Sequence, residues 1–310
     1  MSLRTALGDY LALRRHLGFK LHDAGAALPD FVTFLERHRA SVITTQLALV
    51  WAQQPATVQP ATWARRLSFV RGFARYRSAT DPRTEIPPAT LLPHRARRAR
   101  PYLYSAEEIR QLLRATLAWS GWSTLRPWTY YSLFGLLSVS GLRLGEARNL
   151  QLSDVDLRTG VLTIRGAKFG KSRLVPIHAS TRQVLAQYLA RRRRHWAGRS
   201  AASYVFVTER GNRLDISDIR KTFHAVCHQI GVRDPAASRG PRLHDLRHRF
   251  AVMTLLRWYR SGQDVERLLP VLSTYLGHVN VSDTYWYLGA WPELMHEARR
   301  RLEGRWELRP

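Results

Sequence analysis

Residues 140–157 read SGLRLGEARNLQLSDVDL. Gly141 permits a backbone conformation that other residues resist, and a helix opens beside it near Arg143. Two β-type runs follow, Val161–Arg165 and Ser172–Ile177, separated by GAKFGK (166–171). Branched and aliphatic residues on both sides of a glycine-containing connection read as a hairpin. Outward from this hairpin, most of the chain reads as helix. Ser105 with Glu108 three positions later forms a capping box. Ile109, Leu112 and Leu113 carry an apolar period into a mainly helical stretch that reaches Leu150. Downstream, helical patterns cover Thr181 to about Trp196, Ser217–Ile230 and His244–Arg260, with a short strand expected at Tyr204–Thr208. Upstream, Leu7, Tyr10, Leu11, Leu13 and Leu17 recur near helical spacing, as do Trp63, Leu67, Val70, Phe73 and Ala74. Residues 81–102 hold Pro82, Pro87, Pro88, Pro93 and Pro101 with Arg95, Arg97, Arg98 and Arg100, the composition of a basic linker. The expected fold is mainly α with a small β-hairpin or sheet. Two domains are expected: a helical one at 1–80 and a mixed α/β one at 103–310.

With 310 residues, each domain can bury a core of its own. A hydrophobic content of 45% excludes a disordered basic tail. Lys and Arg number 49 against 23 Asp and Glu, a formal net charge of +26. Such an excess selects polyanionic partners: DNA, RNA or an anionic membrane surface. No apolar run approaches the roughly 18 residues of a membrane span. The N-terminus, MSLRTALGDYLALRRHLGFKL, interleaves charge with its apolar period and lacks the apolar core of a signal peptide. A cytoplasmic, nucleoid-associated protein is expected. Cys227 is the only cysteine, so no intrachain disulfide or cysteine-based zinc site is expected. Among the basic residues only Lys20, Lys168, Lys171 and Lys221 are lysines, and two of them fall within GAKFGK. Arginine binds phosphate through a planar fork, whereas lysine can also give up a proton.

His244 and Arg247, in LHDLRHRF (243–250), lie three apart and share one helix face. That spacing is weak by itself, since His94/Arg97 and His296/Arg299 repeat it. The first pair stands out because an apolar helix follows: Phe250, Ala251, Val252, Leu255 and Leu256. In YLGHVNVSDTYWYL (275–288), Gly277 and His278 read as a tight turn. Ser282 reads as the cap of a short helix holding Tyr285 and Tyr287.

Together Arg143, Lys168, His244, Arg247, His278 and Tyr287 can hold a phosphodiester, donate a proton and attack phosphorus. The two arginines can neutralise charge growing on the non-bridging oxygens. The histidines can add donors or shuttle a proton. A tyrosine can form the covalent link, and a lysine, Lys168 or Lys171, can protonate the departing oxygen. Such a link conserves the phosphodiester energy, so neither cofactor nor metal is expected. Glu146, three residues after Arg143, reads as structural.

Residues 103–300 resemble the catalytic domain of the tyrosine recombinase (phage integrase) family. The matching pieces are SGLRLGE, the hairpin around GAKFGKSRLVPI, LHDLRHRF, and LGH with a tyrosine nine residues after the histidine. The N-terminal helices resemble the family's core-binding domain. The resemblance implies Lys168 rather than Lys171 as the acid, from its place before RLVP. It implies Tyr287 rather than Tyr285 as the nucleophile, from the spacing. It further implies a C-shaped clamp on double-stranded DNA, a 3′-phosphotyrosyl intermediate, and a tetramer, of this chain or with related recombinases, on two DNA sites. Arg65, Arg66, Arg71 and Arg75 on the basic N-terminal helix, Lys171 on the hairpin, and Arg220 and Lys221 are expected DNA contacts. A separate arm-binding domain ahead of residue 1 is not expected, and a simpler recombinase acting on a mobile element is. The alternatives are a relaxing enzyme of the type I-B topoisomerase kind and a non-catalytic DNA-binding regulator. Beyond Tyr287, Pro292 opens a helix with Leu294, Met295, Ala298 and Leu302 on one face, for docking on a neighbouring protomer or on its own domain.

Overall fold

The computed structural model describes residues 2–93, 101–119, 125–166, 172–234, 236 and 240–307, the side chains of 289–290 and 304–307 excepted. The chain divides into two compact units, Met1–Ala99 and Arg100–Pro310.

The first unit holds α1 (Leu3–His16), α2 (His22–Arg37), α3 (Thr45–Gln53) and α4 (Pro60–Ser78). Ser2 and Thr44 cap α1 and α3 by accepting backbone N–H groups, and Pro60 opens α4 where its missing donor costs nothing. Leu28, Phe31, Leu35, Trp51, Val70 and Phe73 form the core. Leu13 and Leu17, expected on the apolar face of α1, are exposed. The buried face of α1 stops at Leu11, about two turns before the left-handed Gly18 (φ +86°) that follows the helix. Residues 81–93, read from composition as the start of a linker, fold back onto this unit. Arg71 donates to the carbonyls of Pro87 (2.7 Å) and Pro88 (2.9 Å), the Thr45 amide donates to Glu85, and Leu92 is buried. Residues 94–100, with Arg95, Arg97, Arg98 and Arg100, lie outside the described residues.

The second unit runs through α5 (Ala106–Leu117), α6 (Arg126–Ser140) and α7 (Leu144–Asn149) to β1 (Val155–Asp156), β2 (Val161–Ile164) and β3 (Arg173–Pro176). It continues through α8 (Ala179–His195), α9 (Ile216–Gln229), α10 (Leu243–Arg260), α11 (Val265–Leu276), α12 (Ser282–Ala290) and α13 (Pro292–Glu307). The Ser105–Glu108 capping box forms in both directions. The sheet is antiparallel in the order β1-β2-β3, with Leu162 opposite Val175 and Ile164 opposite Arg173. Lys168 and Lys171 fall in the 167–171 connection, outside the described residues.

Two sequence expectations change here. Tyr204–Thr208 forms no regular strand, only single bridges from Tyr204 to Gln151 and from Val207 to Arg213. Val205, Phe206 and Val207 are all buried, so their apolar run serves the core and not a ladder. Ser282 is the first residue of α12, and the cap position falls to Val281.

One apolar cluster gathers α5, α6, the sheet, α8 and α9, and a second gathers α10–α13. Within this chain α13 packs on α10: Leu294 is buried, Arg301 donates to the Trp258 and Tyr259 carbonyls, and Arg260 pairs with Glu297. Met295 and Leu302 remain exposed. No helix among the described residues is long and apolar enough to cross a membrane.

Candidate active site

Two helices end at one place for one reason. α6 and α11 both stop at a left-handed glycine, Gly141 (φ +60°) and Gly277 (φ +69°). A Cβ at Gly141 would lie 2.6 Å from the Phe250 ring, and one at Gly277 would lie 2.7 Å from Arg173 Nη1. Glycine is thus required by conformation and by crowding. A helix end leaves carbonyls without intrahelical partners and carries partial negative charge. Here arginines take up those carbonyls. Arg247 donates to Gly141 O and Leu276 O, both at 2.7 Å. Arg143 donates to Gly277 O at 2.9 Å and to Leu276 O at 3.4 Å. Both guanidiniums are therefore drawn to the Leu276 carbonyl.

Glu146 joins a third arginine to the pair. Its carboxylate accepts Arg143 Nη1 (2.9 Å) and the Arg143 backbone N–H (2.9 Å), and it takes Arg173 in a two-bond fork (3.0 and 2.9 Å). Burial opposes the charge on Glu146, yet the bonds from Arg173 and Arg143 prevail and hold its carboxyl below the ordinary range. Arg173 also donates to Tyr275 O at 2.8 Å, tying β3 to the end of α11. Arg247, only 2% exposed, has no carboxylate within ion-pair distance among the described residues. Burial first, then the charge of Arg143, pushes it down to about 10.

The aromatic groups complete the site. Tyr287 is 3% exposed, while Tyr285 on the same helix is 54% exposed. The Tyr287 ring lies nearly parallel to the His278 ring (20°, centroids 6.1 Å) and edge-to-face with His248 (5.5 Å). His248 in turn meets His244 at 4.6 Å. Burial raises the Tyr287 phenol above its usual value, opposed by Arg247 and Arg143. Burial, reinforced by Arg247 and Arg143, pushes His278 down to about 4. His244 keeps an exposed edge but is lowered by desolvation, then by Arg247. Both imidazoles are consequently neutral at pH 7. No group of three or more His, Cys, Asp or Glu side chains among the described residues is arranged to hold a metal.

Five of the six residues singled out from sequence, Arg143, His244, Arg247, His278 and Tyr287, belong to one continuous network. Lys168 falls outside the described residues. Sequence reasoning missed Arg173, His248 and Thr284, whose buried hydroxyl shares a 2.7 Å hydrogen bond with His278 Nδ1. Only the i, i+4 spacing of His244 and His248 was visible in advance. Of the expected DNA contacts, Arg65 pairs with Asp23, Arg66 lies over the Trp51 ring, and Arg71 holds two proline carbonyls. Arg75, Arg220 and Lys221 are exposed.

The sequence model of the phage integrase family matches residues 103–292. A Sinorhizobium fredii chain, y4rB, named as an integrase/recombinase, is 62% identical over 99% of this chain and 98% of its own length. The tyrosine recombinase XerC of Pseudomonas putida is 31% identical over 74% of this chain and 69% of its own. In fold, the Tn1549 transposon integrase, solved in complex with a circular intermediate DNA, superposes with a TM-score of 0.66. That alignment has 16% identity and covers 98% of this chain and 99% of the other.

Proposed function

The chain belongs to the phage integrase family of tyrosine recombinases, and on that premise we propose how it carries out site-specific DNA recombination. The Tyr287 hydroxyl attacks a backbone phosphorus, and the bond to the 5′ oxygen breaks. The products are a 3′-phosphotyrosyl link and a free 5′ hydroxyl. A 5′ hydroxyl from a partner strand reverses the step and rejoins DNA. Arg143 and Arg247 take the non-bridging oxygens, where charge accumulates in the transition state. Neutral His244 accepts the phenol proton, directly or through His248. Lys168 protonates the departing oxygen.

One observation carries this reading. Three guanidiniums, Arg143, Arg173 and Arg247, gather beside a buried tyrosine; Glu146 pairs with the first two, and among the described residues Arg247 has carbonyl oxygens and no paired carboxylate. The site therefore carries more positive charge than Glu146 balances, and a phosphodiester supplies the missing anion. The substrate is double-stranded DNA, met by a chain of net charge +26, and the active form is a tetramer spanning two sites. The setting is the cytoplasm. A relaxing enzyme or a non-catalytic regulator is not favoured, since the relatives are named integrases and recombinases and match 99% and 74% of the chain. Tyr287→Phe is expected to abolish the covalent protein–DNA species while DNA affinity changes less than about threefold, because the lost hydroxyl acts in the chemical step. Tyr285→Phe should retain it. Adduct formation by Tyr287→Phe would move the nucleophile elsewhere.

A further inference from the structure

Thr284 sits one helical turn before Tyr287 on α12 and is 0% exposed. Its hydroxyl lies 2.7 Å from His278 Nδ1. Other buried or half-buried threonines of this unit use the hydroxyl in another way. Thr116, Thr129 and Thr254 each donate to the carbonyl four residues back, at 2.7, 3.1 and 2.8 Å. Thr284 forms no such bond, because the residue four back, Asn280, lies ahead of the cap position Val281. Among the described residues His278 Nδ1 is the only hydrogen-bond partner of the Thr284 hydroxyl.

A buried hydroxyl left without an acceptor is strongly disfavoured. The Thr284 hydroxyl must then donate, and Nδ1 must accept. A neutral imidazole carries one proton, so it rests on Nε2. We propose that Thr284 is a positioning residue that fixes His278 as the Nε2–H tautomer, so that the ring presents an N–H donor to a non-bridging phosphate oxygen. The same bond keys the helix carrying Tyr287 to the His278 turn, so nucleophile and donor are set together. This rests on the recombinase reading for its functional consequence. The tautomer itself does not depend on that reading.

The test uses two substitutions with opposite expectations. Thr284→Val keeps the shape and loses the donor, whereas Thr284→Ser keeps the donor and loses the methyl. With protein saturating a nicked duplex, Thr284→Val should slow single-turnover adduct formation about tenfold with DNA affinity unchanged, the usual scale for one lost hydrogen bond to a reacting group. Thr284→Ser should stay within about threefold of the parent on the same scale. Parent-like cleavage by Thr284→Val, or a larger loss in Thr284→Ser, would overturn the proposal and assign Thr284 to packing. Independently of folding in the variants, long-range ¹H–¹⁵N spectra of the ¹⁵N-histidine-labelled parent at neutral pH read the tautomer directly, His278 being assigned by loss of its signals in His278→Gln. A protonated Nε2 with a bare Nδ1 is expected; a protonated Nδ1 would refute the proposal. If the parent forms no Tyr287 adduct, the recombinase mechanism fails while the spectrum still decides the tautomer.

Discussion

Arg77 and Arg247 are both almost fully buried, at 7% and 2% exposure, yet they are held in opposite ways. Arg77, at the end of α4, pairs with Asp81 (3.3 Å) and donates to Thr80 Oγ1 (3.1 Å). Asp81 is also bonded by Arg83, which holds its carboxyl down to about 2. Buried Arg77 thus has a carboxylate of its own chain as counter-charge, while Arg83, which shares that carboxylate, is solvated. Arg247 meets two carbonyls, with Arg143 as a cationic neighbour. Carbonyl dipoles orient a guanidinium without neutralising it. A buried arginine is therefore informative through the ownership of its counter-charge: an internal carboxylate marks a strut, and a missing one marks a place for a ligand anion.

The largest expected effects break this comparison in two directions. Arg247→Met should lower single-turnover cleavage by about 10³-fold or more, on the scale of a lost transition-state donor, with little change in Tm. Arg77→Met should leave cleavage near the parent level but lower the melting temperature of the first unit by roughly 5 °C or more, because it breaks a buried pair. Similar Tm losses in both variants would erase the distinction.

An intermediate effect sharpens it. Inorganic sulfate can stand in for the missing anion, so at about ten times its Kd it should raise the parent's Tm by roughly 3–6 °C. Arg247→Met should lose that response, measured by calorimetry at constant ionic strength.

The next effect concerns pH. An unfolded histidine takes its proton near pH ~6.5, whereas folded His278 refuses it until about pH 4. Between those values the unfolded chain binds more protons, so this contribution is complete above about pH 6.5 and is lost as pH falls towards 4. His244 is shifted in the same direction. His278→Gln should flatten the fall in Tm across that window, and an unchanged slope would contradict the buried neutral ring. The smallest effect belongs to the exposed arginines. Arg65→Ala should change stability by less than about 0.5 kcal/mol. It should reduce the salt slope of DNA binding by about one if Arg65 touches phosphate.

What could be read from sequence follows the range of the interactions. The Ser105 capping box and the β2–β3 hairpin rest on neighbours in sequence, and both formed as expected. The Tyr204–Thr208 run was misread because a buried apolar segment and a strand share a pattern, and only a partner strand distinguishes them. Leu13 and Leu17 fit the helical period of α1, but periodicity does not tell where the covering helices stop. In the site, residue types and spacing located the arginines, histidines and tyrosine. The links among them span up to 134 positions, as from Arg143 to Gly277, and no local pattern records them. Arg173 and Thr284 therefore read as an ordinary strand arginine and helix threonine until the fold brought them to Glu146 and His278.

The most direct test of the central claim is a covalent trap. The parent protein is incubated with a nicked, partly randomised duplex library, whose cleaved end diffuses away and leaves any phosphotyrosine in place. Detergent-resistant complexes are recovered, the DNA is sequenced and the linked peptide is mapped. A link at Tyr287 with an enriched DNA sequence is the predicted result. A link at Tyr285 or elsewhere, or one with no sequence preference, would contradict the account.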